Sequence, residues 1–155
     1  MIADLHTHSS YSDGTNSPKE LIEMAKRNNV KTIALTDHDT IEGIREAKEA
    51  AVINGVKVIP AVEISTSVDG IRIHILGYNI DCGNCNLIKY LKAMSTARTE
   101  NTRNVLEKLN SLKLLNYSWA DVKMHKSDKS WICSLDVFEA MRLDGHFQHR
   151  SEWKD

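Results

Sequence analysis

The chain has 155 residues, of which 41% are hydrophobic and 26% are charged, and its formal net charge is −1. This length and composition fit one compact globular domain, and the near-zero charge gives no positive field for binding duplex nucleic acid. No apolar run approaches the roughly 20 residues that span a bilayer, the first residues do not resemble a signal peptide, and the three cysteines are too few for a disulfide framework. We therefore expect a cytoplasmic protein without a membrane partner.

Predicted strands and helices alternate over the N-terminal part of the chain. Short strands are predicted at 2–5, which should be buried, at 31–36 and at 56–62. Ser17 should begin the first helix through a capping box with Glu20. Thr40 should cap a second helix over 41–54, which Gly55 ends. Crossovers of this length join parallel strands, so the pattern predicts an α/β sheet or barrel.

The pattern changes after the third strand. Residues 68–70 form a turn between two extended runs, and 72–76 alternates as a hairpin strand does. A helical pattern covers 84–112, either as one long helix or as two. Ser118 opens another capping box, and 134–143 is predicted to be a last short amphipathic helix.

Potential metal ligands follow the ends of the predicted strands. His6 and His8 are two residues apart, so they face the same side of a strand and can bind one ion together. His38 follows the second strand and Glu63 follows the third, while His74 of the hairpin could lie beside Glu63. Two imidazoles beside a carboxylate are a costly arrangement without a cation. Imidazole and carboxylate ligands suit manganese, iron or zinc.

Five motifs occur in the order Asp4-Leu5-His6-Thr7-His8, Ser12-Asp13-Gly14, Thr36-Asp37-His38-Asp39, Val62-Glu63-Ile64-Ser65 and His74-Ile75-Leu76-Gly77. In this combination the chain closely resembles the PHP (polymerase and histidinol phosphatase) family of metal-dependent phosphoesterases. The stretch 84–122 is similar to the helical insertion of small stand-alone bacterial members, which act on nucleotide phosphates and short RNA ends. The resemblance covers roughly residues 2–122.

The resemblance implies a distorted seven-stranded β/α barrel. Three β/α units and a hairpin are present, followed by the helical insertion, so the expected domains are 1–83, the N-terminal part of the phosphoesterase domain, and 84–155, the insertion and a truncated tail. Complete members carry a later histidine-proline motif and an Asp-x-His motif, and this chain has neither. We therefore expect an incomplete barrel, either the N-terminal portion of a longer enzyme or a gene that lost its second half, with little activity alone.

The family site holds up to three divalent ions at the ends of the strands. The resemblance makes His6 and His8 ligands of the first ion, with Glu63 bridging it to the second. It also makes His74 a ligand of that second ion.

The third ion is assigned to Asp13 and His38 by the same resemblance. Asp37 and Asp39 flank His38 and could fix its tautomer. Arg98 is a candidate for contact with a substrate phosphate, because the insertion covers the site in the family; the alternative is a solvated position on a polar helix face.

Other cysteines and histidines have simpler interpretations. Cys82 and Cys85 form a C-x-x-C pair before a helix, which could be a redox site, but we favour an ordinary structural role. His125, His146 and His149 fall outside the motifs, and we interpret them as surface or core residues.

The expected reaction is metal-dependent hydrolysis of a nucleoside phosphate or a short oligonucleotide end. A histidinol-phosphate type of substrate is less favoured, because the insertion is similar to that of the nucleotide-acting members. Two alternatives are a non-catalytic metal-binding fragment and a polymerase-associated PHP module. An uncovered sheet edge also predicts self-association.

Overall fold

The computed structural model describes residues 2–126 and 131–147. Its strands are β1 Ile2–Thr7, β2 Val30–Leu35, β3 Lys57–Val68 and β4 Ile71–Tyr78. Its helices are α1 Pro18–Arg27, α2 Gly43–Asn54, α3 Cys85–Ser111, α4 Trp119–His125 and α5 Ser134–Leu143. The chain forms two compact units, Met1–Lys92 and Ala93–Asp155. The functional domains at 1–83 and 84–155 stay a prediction.

The four strands form a curled half-barrel sheet in the order β1-β2-β3-β4. β1, β2 and the first part of β3 are parallel, and β3 and β4 form an antiparallel hairpin. β3 is longer than predicted because residues 57–60 pair with β2 while residues 61–68 pair with β4. The hydroxyl of Tyr78 on β4 donates to the carbonyl of Leu5 on β1 (2.9 Å), so the curl brings the two terminal strands together. The predicted α/β class is confirmed.

Local capping chemistry sets the beginning of α1. Ser17 Oγ accepts from the backbone N–H of Glu20 (3.2 Å), and the Glu20 carboxylate accepts from the backbone N–H of Ser17 (2.7 Å). This is the predicted capping box. The helix packs Ile22 and Ala25 into the core.

The predicted beginning of α2 is wrong. Thr40 does not cap the helix; its hydroxyl accepts from the N–H of Glu42 (3.3 Å), and the helix begins at Gly43. A Cβ at Gly43 would lie 3.1 Å from both Tyr11 and Pro18, so the first residue of this helix packs closely against neighbouring segments. The predicted end is confirmed, because Gly55 adopts a left-handed conformation (φ 66°) and donates to Ala51 O.

The core of the first unit lies between the two helices and the sheet, and consists of Ile22, Ala25, Ile33, Leu35, Ile44, Ala47, Ala50, Ala51 and Val56. β1 was expected to be buried and is not: Ile2 is 60% exposed and Leu5 is 46% exposed. β1 stands at the edge of the sheet, and within the described residues no strand pairs with its other side.

The second unit is helical. α3 is one continuous helix, which settles the choice between one helix and two. The capping box that begins α4 joins Ser118 and Asp121, as predicted. The unit has its own core, made of Leu106, Tyr117, Val122, Ile132, Val137, Ala140 and Met141. Among the described residues, no helix has both the length and the apolar character needed to cross a bilayer.

Candidate metal centre

The half-barrel brings the predicted ligands together at one rim. His6 lies near the end of β1, and His8 follows that strand directly. His38 follows β2 and forms an isolated bridge with Glu63 of β3. His74 lies on β4, opposite Ser65 in the hairpin. Carboxyl ends of parallel strands meet at one edge of a sheet, which is why ligands so distant in the chain converge.

Glu63 is the centre of the cluster, and its side chain is only 6% exposed. Its Oε2 atom lies 2.9 Å from Nε2 of His6 and 2.9 Å from Nε2 of His8. Its Oε1 atom lies 2.9 Å from Nδ1 of His74, and Nδ1 of His38 is 3.7 Å from Oε2. One buried carboxylate is therefore surrounded by four imidazoles.

Asp13 extends the cluster on the side away from Glu63. Its Oδ1 atom lies 2.9 Å from Nδ1 of His8, and its Oδ2 atom lies 3.7 Å from Nε2 of His38. Three groups of donor atoms result, each with all its atoms within 4.8 Å of one another: His6/His8/Glu63, His8/Asp13/His38 and His38/Glu63/His74. All six predicted ligands thus converge, and their role as ligands stays a prediction.

The electrostatics of the cluster favour negative carboxylates. The hydrogen bond from His8 lowers the pKa of Asp13 to about 2, and the same hydrogen bond raises the pKa of His8. Burial alone would raise the pKa of Glu63, but the hydrogen bond with His6 and the neighbouring imidazoles hold it below its usual value. Burial lowers the pKa of His38. A neutral imidazole and ionised carboxylates are the forms that bind a cation.

The donor set fits a divalent metal ion. The buried Nδ1 atom of His38 has no hydrogen-bond partner within the described residues, which is costly for a polar atom unless a ligand satisfies it. Mixed imidazole nitrogens and carboxylate oxygens suit manganese, iron or zinc. His6, His8, Asp13, His38, Glu63 and His74 would hold such ions.

The two aspartates that flank His38 have other partners. Asp37 accepts hydrogen bonds from Ser9 and Ser12, so it holds the segment after β1 rather than the ring of His38. The expectation that Asp37 fixes the tautomer of His38 stays a prediction. Asp39 accepts from the backbone N–H of Ser65 (2.9 Å), and its effect on the tautomer of His38 stays a prediction. Sequence reasoning missed the two serines.

Histidines outside the motifs lie in the second unit. Nε2 of His125 lies 2.8 Å from Oδ1 of Asp144, at the end of α5. The ring of His146 stands edge-on to that of Tyr117, with centroids 5.3 Å apart. Both contacts connect segments of the second unit, and the interpretation of these histidines as surface or core residues stays a prediction. His149 lies outside the described residues.

Arg98 stacks on an aromatic ring, with its guanidinium carbon 4.7 Å from the ring centroid of Trp131. Its contact with a substrate phosphate stays a prediction. Cys82 and Cys85 are free thiols, and neither belongs to the three donor groups.

Fold and cluster together define an α/β protein with a metal-binding type of site at the rim of a curled sheet. The sequence profile of the PHP domain matches residues 4–150. The chain belongs to the PHP domain family.

Two similar proteins are bacterial enzymes that act on nucleic acid or nucleotides. A 5'-3' exoribonuclease of Haemophilus influenzae is 41% identical over 113 residues, which are 73% of this chain and 41% of that protein. A 3',5'-nucleoside bisphosphate phosphatase of Chromobacterium violaceum is 38% identical over 102 residues, which are 66% of this chain and 36% of that protein. The chain thus spans less than half the length of these relatives.

Two solved structures share the fold over 98% of this chain and 53% of their own length. A Bifidobacterium adolescentis protein assigned as a metal-dependent phosphoesterase superposes with a TM-score of 0.86 at 27% identity. An amidohydrolase from Chromobacterium violaceum, with bound sulfate and no metal, superposes with a TM-score of 0.81 at 30% identity.

Proposed function

We propose that this chain provides the metal site of a phosphoesterase that hydrolyses nucleoside phosphates or the ends of short oligonucleotides. The observation that carries the proposal is the buried Glu63 carboxylate with four imidazoles around it and Asp13 beside them. The exoribonuclease and the bisphosphate phosphatase among the relatives support this substrate class. The sulfate bound by the Chromobacterium violaceum structure supports a tetrahedral oxyanion as ligand.

The ligands are proposed to divide among up to three divalent ions of manganese, iron or zinc. His6, His8 and Glu63 would hold the first ion, Glu63 and His74 would hold the second, and Asp13 and His38 would hold the third. A bound divalent ion supplies a Lewis acid that lowers the pKa of water and neutralises charge on the leaving oxygen.

The protein's own groups act by position and charge. The buried carboxylate of Glu63 keeps the imidazoles of His6, His8 and His74 turned toward one point, since each lies 2.9 Å from one of its oxygens. His38 presents a buried nitrogen without a hydrogen-bond partner among the described residues. Such a fixed set of donor atoms would hold divalent ions without large rearrangement, and this preorganisation is the main contribution that a protein makes to this chemistry.

The proposal includes low turnover by the 155-residue chain alone. The chain offers six candidate ligands for up to three ions. Each of the two compared relatives is more than twice as long as its own region that matches this chain. Self-association through the uncovered sheet edge and a cytoplasmic location also belong to the proposal. Within the described residues, Cys82, Cys85 and Cys133 form no disulfide, which supports a reducing compartment.

Metal binding and turnover test the proposal together. The metal-free chain is titrated with Mn²⁺ by calorimetry, and phosphate release is then measured with a 3',5'-nucleoside bisphosphate and a 5'-phosphorylated oligonucleotide. The Haemophilus influenzae exoribonuclease is assayed in parallel. We expect Mn²⁺ binding and slow release relative to that enzyme.

Two variants provide the controls. His8→Ala should abolish release and weaken Mn²⁺ binding at the two donor groups that contain His8. His125→Ala, in the second unit, should change neither binding nor release. Mn²⁺ binding without any release above the metal-free chain would favour the non-catalytic alternative. No Mn²⁺ binding would contradict the proposal.

A further inference from the structure

Asp37 is a buried carboxylate that the proposed chemistry does not use as a ligand. It is 1% exposed, and three hydrogen bonds reach it from one short segment. Oδ1 accepts from the backbone N–H of Ser9 (2.6 Å) and from the hydroxyl of Ser12 (2.6 Å), and Oδ2 accepts from the hydroxyl of Ser9 (2.7 Å). Both serines are themselves buried. A buried carboxylate is tolerated when such donors satisfy it.

Asp37 holds the loop 9–14, which follows His8 directly and contains Asp13. It winds tightly around Ser9, whose carbonyl accepts from the N–H groups of both Ser12 and Gly14 (3.0 Å each). A Cβ at Gly14 would lie 2.3 Å from the carbonyl oxygen of His8, so the loop closes against the end of β1 with no room for a side chain. The loop therefore has little conformational freedom while its contacts persist.

Ser12 connects the buried carboxylate to the candidate ligand. Its hydroxyl lies 2.6 Å from Oδ1 of Asp37 and 3.4 Å from Oδ1 of Asp13. Asp13 in turn lies 2.9 Å from Nδ1 of His8. Of the three donor groups, only His8/Asp13/His38 contains a residue of the loop.

We propose that Asp37 is a positioning residue: by fixing the loop 9–14, it places Asp13 for the ion held by His8, Asp13 and His38. This inference rests on the proposed function of the cluster. The loop contributes a residue to the group His8/Asp13/His38 alone, and the groups His6/His8/Glu63 and His38/Glu63/His74 contain no residue of the loop. Loss of Asp37 should therefore remove one ion selectively.

The test measures Mn²⁺ binding to the full chain by calorimetry and amide hydrogen exchange at Ser12 and Gly14 in the metal-free chain. In Asp37→Ala, one class of Mn²⁺ site should weaken by about 10-fold to 100-fold, the usual effect of losing an outer partner of a ligand. Exchange at both amides should accelerate. Asp37→Asn should retain the Mn²⁺ affinity and the slow amide exchange of the wild type, because its amide oxygen can still accept and its NH₂ group can donate to Ser9.

A double-mutant cycle separates positioning from general destabilisation. If Asp37 acts through Asp13, then Asp13→Ala and the double variant Asp13→Ala/Asp37→Ala bind Mn²⁺ equally. Asp136→Ala is the matched control, since Asp136 is also a buried aspartate but belongs to the second unit. It should leave Mn²⁺ binding unchanged. If Asp37→Ala does not fold, Ser12→Ala removes a single donor and should weaken the same site.

Additive effects of the two substitutions would overturn the positioning role, and so would equal loss at all Mn²⁺ sites or unchanged exchange in the loop. Normal Mn²⁺ binding without phosphate release contradicts only the proposed function. The two failures are thus distinguishable.

Discussion

Glu63 shows how one residue can organise a whole site. Its two oxygens contact three imidazoles at 2.9 Å, and a fourth imidazole, that of His38, lies at 3.7 Å. A carboxylate in this position favours cations and orients the rings at the same time. An isosteric substitution can separate the effect of its charge from the effect of its shape.

Glu63→Gln keeps the size of the side chain and removes the charge. We expect Mn²⁺ affinity to fall by about 100-fold or more, because the bridging anion contributes to two donor groups. Calorimetry on the metal-free variant measures the loss. Arg45→Gln, a change of charge at an exposed position of α2, is the control and should bind Mn²⁺ normally. Wild-type affinity in Glu63→Gln would contradict the central role of this carboxylate.

A second prediction at the scale of single residues concerns Gly14. In Gly14→Ala the added Cβ would overlap the backbone of His8, at 2.3 Å from its oxygen, so the loop must move. We expect a cost of about 1 to 3 kcal/mol, seen as a melting temperature lower by several degrees. Gly83→Ala is the comparison, because its Cβ meets only a side-chain oxygen of Asp81 at 3.3 Å. An equal change in both variants would contradict this reasoning.

At the scale of elements, local signals in the sequence predict what short-range chemistry decides. The capping box of Ser17 and the left-handed Gly55 involve partners within a few residues, and both predictions are confirmed. The cap predicted at Thr40 was wrong, since α2 begins at Gly43, where the chain packs closely against Tyr11 and Pro18. The hydrogen bonds of Asp37 escaped prediction because its partner Ser9 is 28 positions away in the chain. Strand-end positions, in contrast, sufficed to predict that His6, His8, His38 and Glu63 meet at one rim, whereas Asp13 was added by the family resemblance.

A prediction on the pH dependence of stability concerns Asp144 in the second unit. Asp144 ends α5 and accepts hydrogen bonds from the hydroxyl of Tyr117 (2.6 Å) and from His125 at the end of α4 (2.8 Å). These contacts hold the pKa of Asp144 below its usual value. Its contribution to stability is thus present above the unfolded pKa of about 3.9 and is lost as the pH falls through the lower folded pKa.

Asp144→Asn should therefore differ from the wild type most at neutral pH. We expect its melting temperature to lie below that of the wild type at pH 7, and the gap to narrow below about pH 4. Thermal unfolding between pH 3 and pH 7 measures both. Asp69→Asn, in the exposed turn of the hairpin, should follow the wild type throughout. A gap that is constant with pH would show that the charge of Asp144 is irrelevant.

At the scale of the whole molecule, the hairpin carries an apolar face. Ile71, Ile73 and Ile75 alternate along β4 and so share one face, opposite to that of His74. They are 68%, 40% and 55% exposed. Val68, paired with Ile71, continues the patch. Exposed aliphatic rows of this kind on a sheet favour association.

Charged substitutions on this face should reduce self-association. We expect the wild-type chain to sediment with a concentration-dependent increase in mass, and Ile71→Lys/Ile73→Lys to sediment as a monomer. Val52→Lys on α2 changes an equally apolar side chain that is 85% exposed, and it should behave as the wild type does. A wild-type chain that stays monomeric across the concentration range would contradict this prediction.

The two ring nitrogens of His8 face different carboxylates, Nε2 toward Glu63 and Nδ1 toward Asp13. When an ion occupies Nε2, the remaining ring proton lies on Nδ1 and is donated to Asp13. Asp13 then offers only Oδ2, which lies 3.7 Å from His38, to a further ion. If the donor groups bind ions as proposed, loading one should lower the affinity of its neighbour, and by reciprocity the neighbour should lower the affinity of the first. The cluster should fill stepwise and anticooperatively, so that the number of ions it retains follows the free metal concentration.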